Sequence, residues 1–506
     1  MINVLSYLEK RALEMPGKVA VKDDHQSCTY AELMKRAKAI GTEVAAHTEV
    51  RTSVVVFMEK SVIALASFLG ITYAGCFYTL LDPDFPKERL EQILDILAPK
   101  MILTTPDYRE KLDGLAYDGV VWDVNTVTDA VSEDVLQAIR DRATDTDPLY
   151  CNFTSGSTGT PKGVLVSHGA VIDFIEQFVL TTGIREDDVI ANQAPFDFDV
   201  SVKDIYSCLK TGATLVIIPK SCFMFPMAVL DRLCENQVTV LIWAVSAMCL
   251  VSRMHGFQYK IPEQIRMVMF SGEQMPIKQL NIWRGVYPDA TFINLYGPTE
   301  ITCNCMYYIL DREYREDEKL PLGRAFANEK VFLLDEEDKP VTEPGKQGQI
   351  CVAGTTLALG YYRNPEATAR SFTQNPLNQD YPERIYRTGD NAYYDDNGEM
   401  FFSGRMDFQI KHMGHRIELE EIETLVNALP GVDQACVFFD DEKNKIVACY
   451  VGDGEKRSLI DGMKQKVPEF MVPNKWIRTD SLPLTKNGKT DRKKMKQAYI
   501  QGAYHG

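Results

Sequence analysis

Residues 151–171 read CNFTSGSTGTPKGVLVSHGAV, an apolar run that empties into a loop of hydroxyls and glycines and then resumes. Leu149, Tyr150 and Phe153 lead in; Thr154, Ser155, Gly156, Ser157, Thr158, Gly159 and Lys162 follow; strand character returns at Val164 to Val166. Glycines let successive backbone N–H groups turn towards one point, hydroxyls add donors and Lys162 adds charge, which together make a nest for phosphates. A flexible Gly/Ser/Thr linker shares the composition, but linkers do not sit between two apolar strands. The spacing is not GxxxxGK[ST], and the one GKT, Gly488 to Thr490, lacks both the earlier glycine and a preceding strand. P-loop chemistry is therefore disfavoured.

Working outward, residues 1 to about 330 alternate short β-branched runs with helical patterns. TSVVVFM (52–58), ATLVIIP (213–219) and IRMVMFSG (265–272) read as strands, and SVIALASFLGITYAG (61–75) as an apolar helix closed by a glycine. This rhythm implies parallel sheets covered by helices. The apolar window VTVLIWAVSAMCLV (238–251) falls short of the roughly 20 residues needed to span a bilayer, so it reads as a buried segment. From about 320 to 406 the texture changes to short alternating runs with turn residues, DDNG at 395–398 among them, which predicts hairpins. From Asp407 the pattern restarts with a strand and an amphipathic helix. The expected fold class is α/β and α+β. A large N-terminal body (1–406) of stacked parallel sheets with helices carries a β-rich subdomain (about 320–406), and a small C-terminal α+β domain (407–506) follows.

The 506 residues are 45% apolar and 25% charged, the composition of a soluble globular protein. With 55 Lys plus Arg against 71 Asp plus Glu, the net charge of −16 disfavours nucleic acid and anionic membrane as partners. A polyanionic ligand must then find a local positive site. Twelve scattered cysteines with no CxxC pair read as reduced thiols in a cytoplasmic protein. The N-terminus lacks the pattern of a signal peptide. His412 and His415 have neither helical metal-ligand spacing nor a third ligand nearby, and read as surface or loop histidines.

Seven segments in order carry a resemblance. FTSGSTGTPKGV (153–164) is similar to the phosphate loop of the adenylate-forming superfamily, which includes amino-acid adenylation domains, acyl-CoA synthetases and luciferases. CTYAEL (28–33), YAGCFYTLLDP (73–83), NLYGPTE (294–300), YRTGD (386–390), GRMDFQIKHMGHRIELEEIE (404–423) and LTKNGKTDRKKM (484–495) resemble its other signatures. The resemblance implies ATP and Mg²⁺ as cofactors and activation of a carboxylate by attack on the α-phosphate. By that resemblance the loop residues Thr154 to Gly159 and Lys162 hold the departing pyrophosphate, with Gly272, Glu273, Asn294 and Gly297 as further nucleotide contacts. Glu300 is the magnesium ligand, Thr299 touches the α-phosphate, Tyr296 stacks on adenine, Asp390 takes the ribose hydroxyls and Arg405 is a second ribose or phosphate contact. Lys489 bridges substrate carboxylate and α-phosphate. Asp407 is the hinge about which the small domain swings, and Gly414 lines the path of a phosphopantetheine thiol.

NQAPFDFDVSVKDIYSCLKTGATL (192–215) and FSGEQMP (270–276) narrow the resemblance to the D-alanine:D-alanyl carrier protein ligases and stand-alone amino-acid adenylation domains. In that branch Asp199 pairs with the substrate α-ammonium, and Val200, Lys203, about Ala244, Met269, Ser271, Leu295, Cys303 and Asn304 form the side-chain pocket. The branch is expected to have an apolar residue in place of Lys203 and a cysteine in place of Ser271. A lysine without a partner in an apolar pocket is costly. Either the substrate carries a carboxylate or amide side chain, or Lys203 snorkels to the surface. D-Alanine is the leading substrate and a more polar or acidic amino acid the alternative. The expected partner is a separate acyl or peptidyl carrier protein with phosphopantetheine, and a monomer is expected. The rivals are a CoA ligase for a small carboxylic acid and a non-catalytic ATP-binding protein. The latter's sign, loss of Lys489, Glu300 or Asp390, is absent.

Overall fold

The computed structural model describes residues 2–156, 160–405, 408–483 and 490–502. Two sheets form the body. Seven strands run in the order Gly360–Tyr361, Lys162–Ser167, Pro148–Thr154, Phe77–Leu81, Ser53–Phe57, Met101–Thr104, Val120–Asp123. In the second sheet Thr291–Tyr296, Met267–Ser271, Val240–Ala244, Val189–Asn192, Thr214–Ile217 and Val19–Lys22 run parallel, with antiparallel strands at both edges.

Alternate residues of these strands enter different cores, as the two-residue period of a strand requires. Val54 and Val56 join the core shared by the two sheets, while Val55 and Phe57 pack with Leu90, Ile93 and Leu94 of the helix Lys87–Leu97. Met267 and Met269 likewise face the shared core, and Val268 and Phe270 face away with Trp283. Strands covered on both faces read as unbroken apolar runs. The helix Val62–Tyr73 is buried on nearly every side, which its uniformly apolar sequence demands. The apolar window at 238–251 divides into the strand Val240–Ala244 and the helix Val245–Arg253. Among the described residues no helix is long and apolar enough to cross a membrane.

The β-rich part is a five-stranded antiparallel sheet, and the DDNG turn joins its strands Arg384–Tyr394 and Met400–Arg405. Gly398 takes φ 78° there and its N–H donates to the Asp395 carbonyl at 3.0 Å. The C-terminal elements have cores of their own, one including Ile417, Ile422, Val437 and Trp476. They comprise the hairpin Gln409–His412/His415–Glu418, the helix Leu419–Asn427 and a three-stranded sheet. The α/β and α+β class read from the sequence holds. What positions the site is the hairpin, whose tip reaches the carboxyl ends of the body's parallel strands, where ligands bind in open α/β sheets.

Candidate functional site

A cavity of about 110 Å³ lies between body and hairpin, walled by Thr154, Ser155, Asp199, Ser271, Thr299 and Asn304 on one side and Lys411, Gly414, His415 and Arg416 on the other. The phosphate loop opens it. Thr154 and Lys162 face each other across the antiparallel pair that frames the loop. A Cβ on Gly156 would lie 2.1 Å from the Thr160 carbonyl, so the turn tolerates glycine alone. Lys162 Nζ sits 5.7 Å from the centre of the Tyr361 ring. Ser157, Thr158, Gly159, Asp407 and Lys489 lie outside the described residues.

The carboxylates of the site are already engaged. Glu300 is fully buried, with Tyr361 Oη donating at 2.7 Å and Arg416 Nη1 at 2.6 Å. Burial pushes its carboxyl up, but the Arg416 charge and the Tyr361 hydroxyl outweigh this and hold it below the usual range. Asp390 accepts from Tyr296 Oη at 2.5 Å and pairs with Arg405, which also donates to the Thr388 carbonyl at 3.2 Å. Tyr296 is buried and Gly297 packs against the Asn304 backbone. Asn294 donates to the Pro321 carbonyl at 2.9 Å. Gly272 takes φ 99°, and Glu273 accepts the Gly414 N–H at 3.0 Å.

Asp199 stands at the start of the helix Val200–Thr211 but makes no cap bond to it, which leaves its carboxylate on the cavity wall. Burial raises its pKa; a hydrogen bond from Thr299 and the charges of Lys203 and Lys411 oppose the rise. One helical turn on, Lys203 is fully buried. Its Nζ donates to Asn304 Oδ1 at 2.7 Å and meets Ser271 Oγ at 3.5 Å. The surface-snorkelling alternative for Lys203 is therefore corrected: a tertiary acceptor holds the ammonium inside, so it need not reach water. Val200 and Cys303 also line the cavity, whereas Met269 and Leu295 lie in the shared core. Ala244 faces the hairpin, 3.5 Å from where a Cβ on Gly414 would stand.

The surface-or-loop reading of the two histidines is also corrected. His412 is buried. His415 stacks on Phe470 at 3.5 Å between ring centres and stands perpendicular to the Phe198 ring at 4.5 Å. Burial drives its pKa down to about 3, so it is neutral.

Several site residues escaped the sequence reading. Lys411 and Arg416 are directly opposite on the hairpin, and like charges so placed repel unless anions meet them. Arg416 meets Glu300; Lys411, its pKa lowered by burial, is drawn the other way by the charges of Asp390 and Asp199. The cross-strand pair of cations beside Gly414 was the available signal. Ser155 Oγ donates to the Arg416 carbonyl at 2.9 Å and accepts the Glu418 N–H at 3.0 Å. Glu421 pairs with Arg89 at 2.8 Å through one oxygen and accepts the Gly156 N–H at 3.2 Å through the other. Nothing local in the sequence joins residues so far apart.

The arrangement can hold anions at the loop, an ammonium at Asp199 and a polar group near Lys203. The chain is 30% identical over 510 residues to D-alanine–D-alanyl carrier protein ligase of Staphylococcus aureus (strain Newman), covering 98% of this chain and 99% of that one. It is 32% identical over 498 residues to bacitracin synthase 1 of Bacillus licheniformis, spanning 96% of this chain but only 9% of that protein. A solved structure of holo-PA1221, a protein containing adenylation and carrier domains, superimposes with a TM-score of 0.83 at 23% identity, over 98% of this chain and 84% of that one. That likeness concerns the fold alone. The AMP-binding enzyme model matches residues 8–362 and the AMP-binding enzyme C-terminal domain model residues 421–489. The chain belongs to the AMP-binding enzyme family.

Proposed function

We propose that the protein is an AMP-forming ligase that joins an amino acid to the α-phosphate of ATP and then passes the acyl group to the phosphopantetheine thiol of a separate carrier protein. The observation that carries the amino-acid reading is Asp199, whose carboxylate faces the cavity uncommitted to its own helix. A carboxylate there offers the α-ammonium a charge-assisted hydrogen bond. In this reading Thr154 to Gly159 and Lys162 bind the leaving pyrophosphate and Thr299 contacts the α-phosphate. Gly272, Glu273, Asn294, Tyr296, Gly297, Asp390 and Arg405 orient the nucleotide, and Lys489 draws the two reacting anions together. Glu300 fits a magnesium ion by donor type, since hard cations choose carboxylate oxygens; the ion's chemistry is to neutralise phosphate charge. Asp407 is the hinge, and Gly414 lines the thiol's path while the hairpin excludes water from the acyl adenylate.

The Lys203–Asn304–Ser271 cluster favours a substrate side chain bearing a carboxylate or amide: Asn304 and Ser271 line the cavity, and the buried Lys203 stands directly behind them. D-Alanine is the second reading, supported by the similarity to the staphylococcal D-alanine ligase along the whole chain. A pyrophosphate-exchange screen over both enantiomers of alanine, serine, aspartate and glutamate tests both. Activity with an acidic substrate supports the first reading, and D-alanine alone the second. Exchange that persists in Asp199→Ala refutes the amino-acid reading and leaves a CoA ligase for a small carboxylic acid.

A further inference from the structure

Lys60 lies behind the site, between the strand Ser53–Phe57 and the helix Val62–Tyr73. Its Nζ is 2.7 Å from the Gln193 carbonyl, 3.0 Å from Asn192 Oδ1, and 3.3 Å from the carbonyls of Asn192 and Ala194. These acceptors belong to three consecutive residues at the start of the segment that leads from the strand Val189–Asn192 to Asp199. Three carbonyl oxygens turned towards one point repel each other, and a cation at their focus removes that repulsion. The rest of the segment is tied around the same knot. Asn192 Nδ2 donates to Asp204 Oδ2 at 2.6 Å, and Gln193 Oε1 accepts the Ala244 N–H at 3.1 Å. At the far end, the Phe198 ring stands perpendicular to that of His415 on the docked hairpin.

We infer that Lys60 is a positioning residue: its ammonium gathers the carbonyls of Asn192, Gln193 and Ala194 and thereby sets Asp199 and Phe198 on the cavity wall. This rests on the reading that Asp199 receives the substrate ammonium. Lys60 itself does not line the cavity. An ammonium brings three N–H donors and a full charge to four oxygens, which no neutral side chain of that length supplies. Asp197 and Asp204 lie close enough for their charges to oppose the burial that lowers the amine's pKa. Burial brings the half-buried amine's pKa down to about 7, and four oxygens of the segment stay within 3.3 Å of its Nζ.

The test uses the full chain with Lys60→Met, Lys60→Gln as a second variant that retains amide donors, and Lys60→Arg, which retains the charge. In pyrophosphate exchange, Met and Gln are expected to raise the KM for the amino acid about tenfold with the ATP KM and kcat nearly unchanged. Lys60→Arg recovers most of that loss. A merely structural defect lowers the active fraction, and so kcat, without splitting the two KM values. Hydrogen exchange supplies a substrate-free readout: amides of 193–199 exchange about tenfold faster in Lys60→Met while those of 240–243 do not change. Unchanged exchange at 193–199, or the two KM values rising together, overturns the inference. If no amino acid supports pyrophosphate exchange, the proposed function falls, and the hydrogen-exchange comparison alone decides the role of Lys60.

Discussion

Arg416 Nη1 lies 2.6 Å from Glu300 Oε2, so a guanidinium carried by the C-terminal hairpin caps a fully buried carboxylate of the body. The other oxygen of Glu300 is held by Tyr361. A metal ion bound to Glu300, as the proposed function has it, would compete with Arg416 and Tyr361 for the same oxygens.

Arg416→Ala strands Glu300 in the docked arrangement, and a lone buried charge costs about 3–5 kcal/mol. The small domain is expected to undock rather than accept that cost. Single-turnover transfer to a carrier should slow by about tenfold or more, with pyrophosphate exchange changed by less than about threefold. Equal losses in both half-reactions would show that Arg416 serves no docking role.

Glu421 and Arg89 make a second contact across the same boundary, with side-chain exposures of 1% and 7%. Glu421→Gln leaves Arg89 facing the cavity without a counter-charge, whereas Glu421→Gln combined with Arg89→Met removes the stranded charge. Transfer rates in the two single variants and the double variant should be strongly non-additive, the double losing less than Glu421→Gln alone. Additive losses would sever the functional link between the pair.

Lys203 and Asn304 should respond asymmetrically. Lys203→Met replaces a buried cation by an apolar chain of similar length and is expected to cost little stability, while shifting substrate preference from acidic towards small apolar amino acids. Asn304→Ala keeps the cation and deletes its 2.7 Å acceptor, which costs about 3 kcal/mol. Urea unfolding of the two variants checks the stability difference, and the exchange screen checks the preference.

Glu329, which does not line the cavity, provides a pH signature. Burial, with Asp173 nearby, raises its carboxyl pKa to about 8 despite a hydrogen bond from Thr356. The folded protein thus holds a proton between the ordinary carboxylate range and pH 8 that the unfolded chain has released. Stability falls as pH rises through that window. The difference in unfolding free energy between wild type and Glu329→Gln should change by about 2 kcal/mol between pH 6 and pH 8, wild type losing ground. A pH-independent difference would mean that Glu329 is ionised in the folded state.

The sequence by itself determined the architecture of the chain and the place of the phosphate loop. Those features are local: unbroken β-branched runs such as VVVF at 54–57, a uniformly apolar helix, glycines where backbone must turn, and hydroxyls beside Lys162. Period and composition are physical properties of consecutive residues, so they can be read in order. Only the tertiary structure decided the fate of the charges. Lys203 stays buried because acceptors 68 and 101 residues away close over it. His415 is half-buried because Phe198 and Phe470 close on it from the body and the C-terminal part. Arg416 and Glu300, 116 residues apart, and Arg89 and Glu421, 332 apart, meet only when the hairpin docks. A buried charge is stable or ruinous according to what stands within about 3 Å of it, and that neighbour is chosen by the fold rather than by the adjoining sequence.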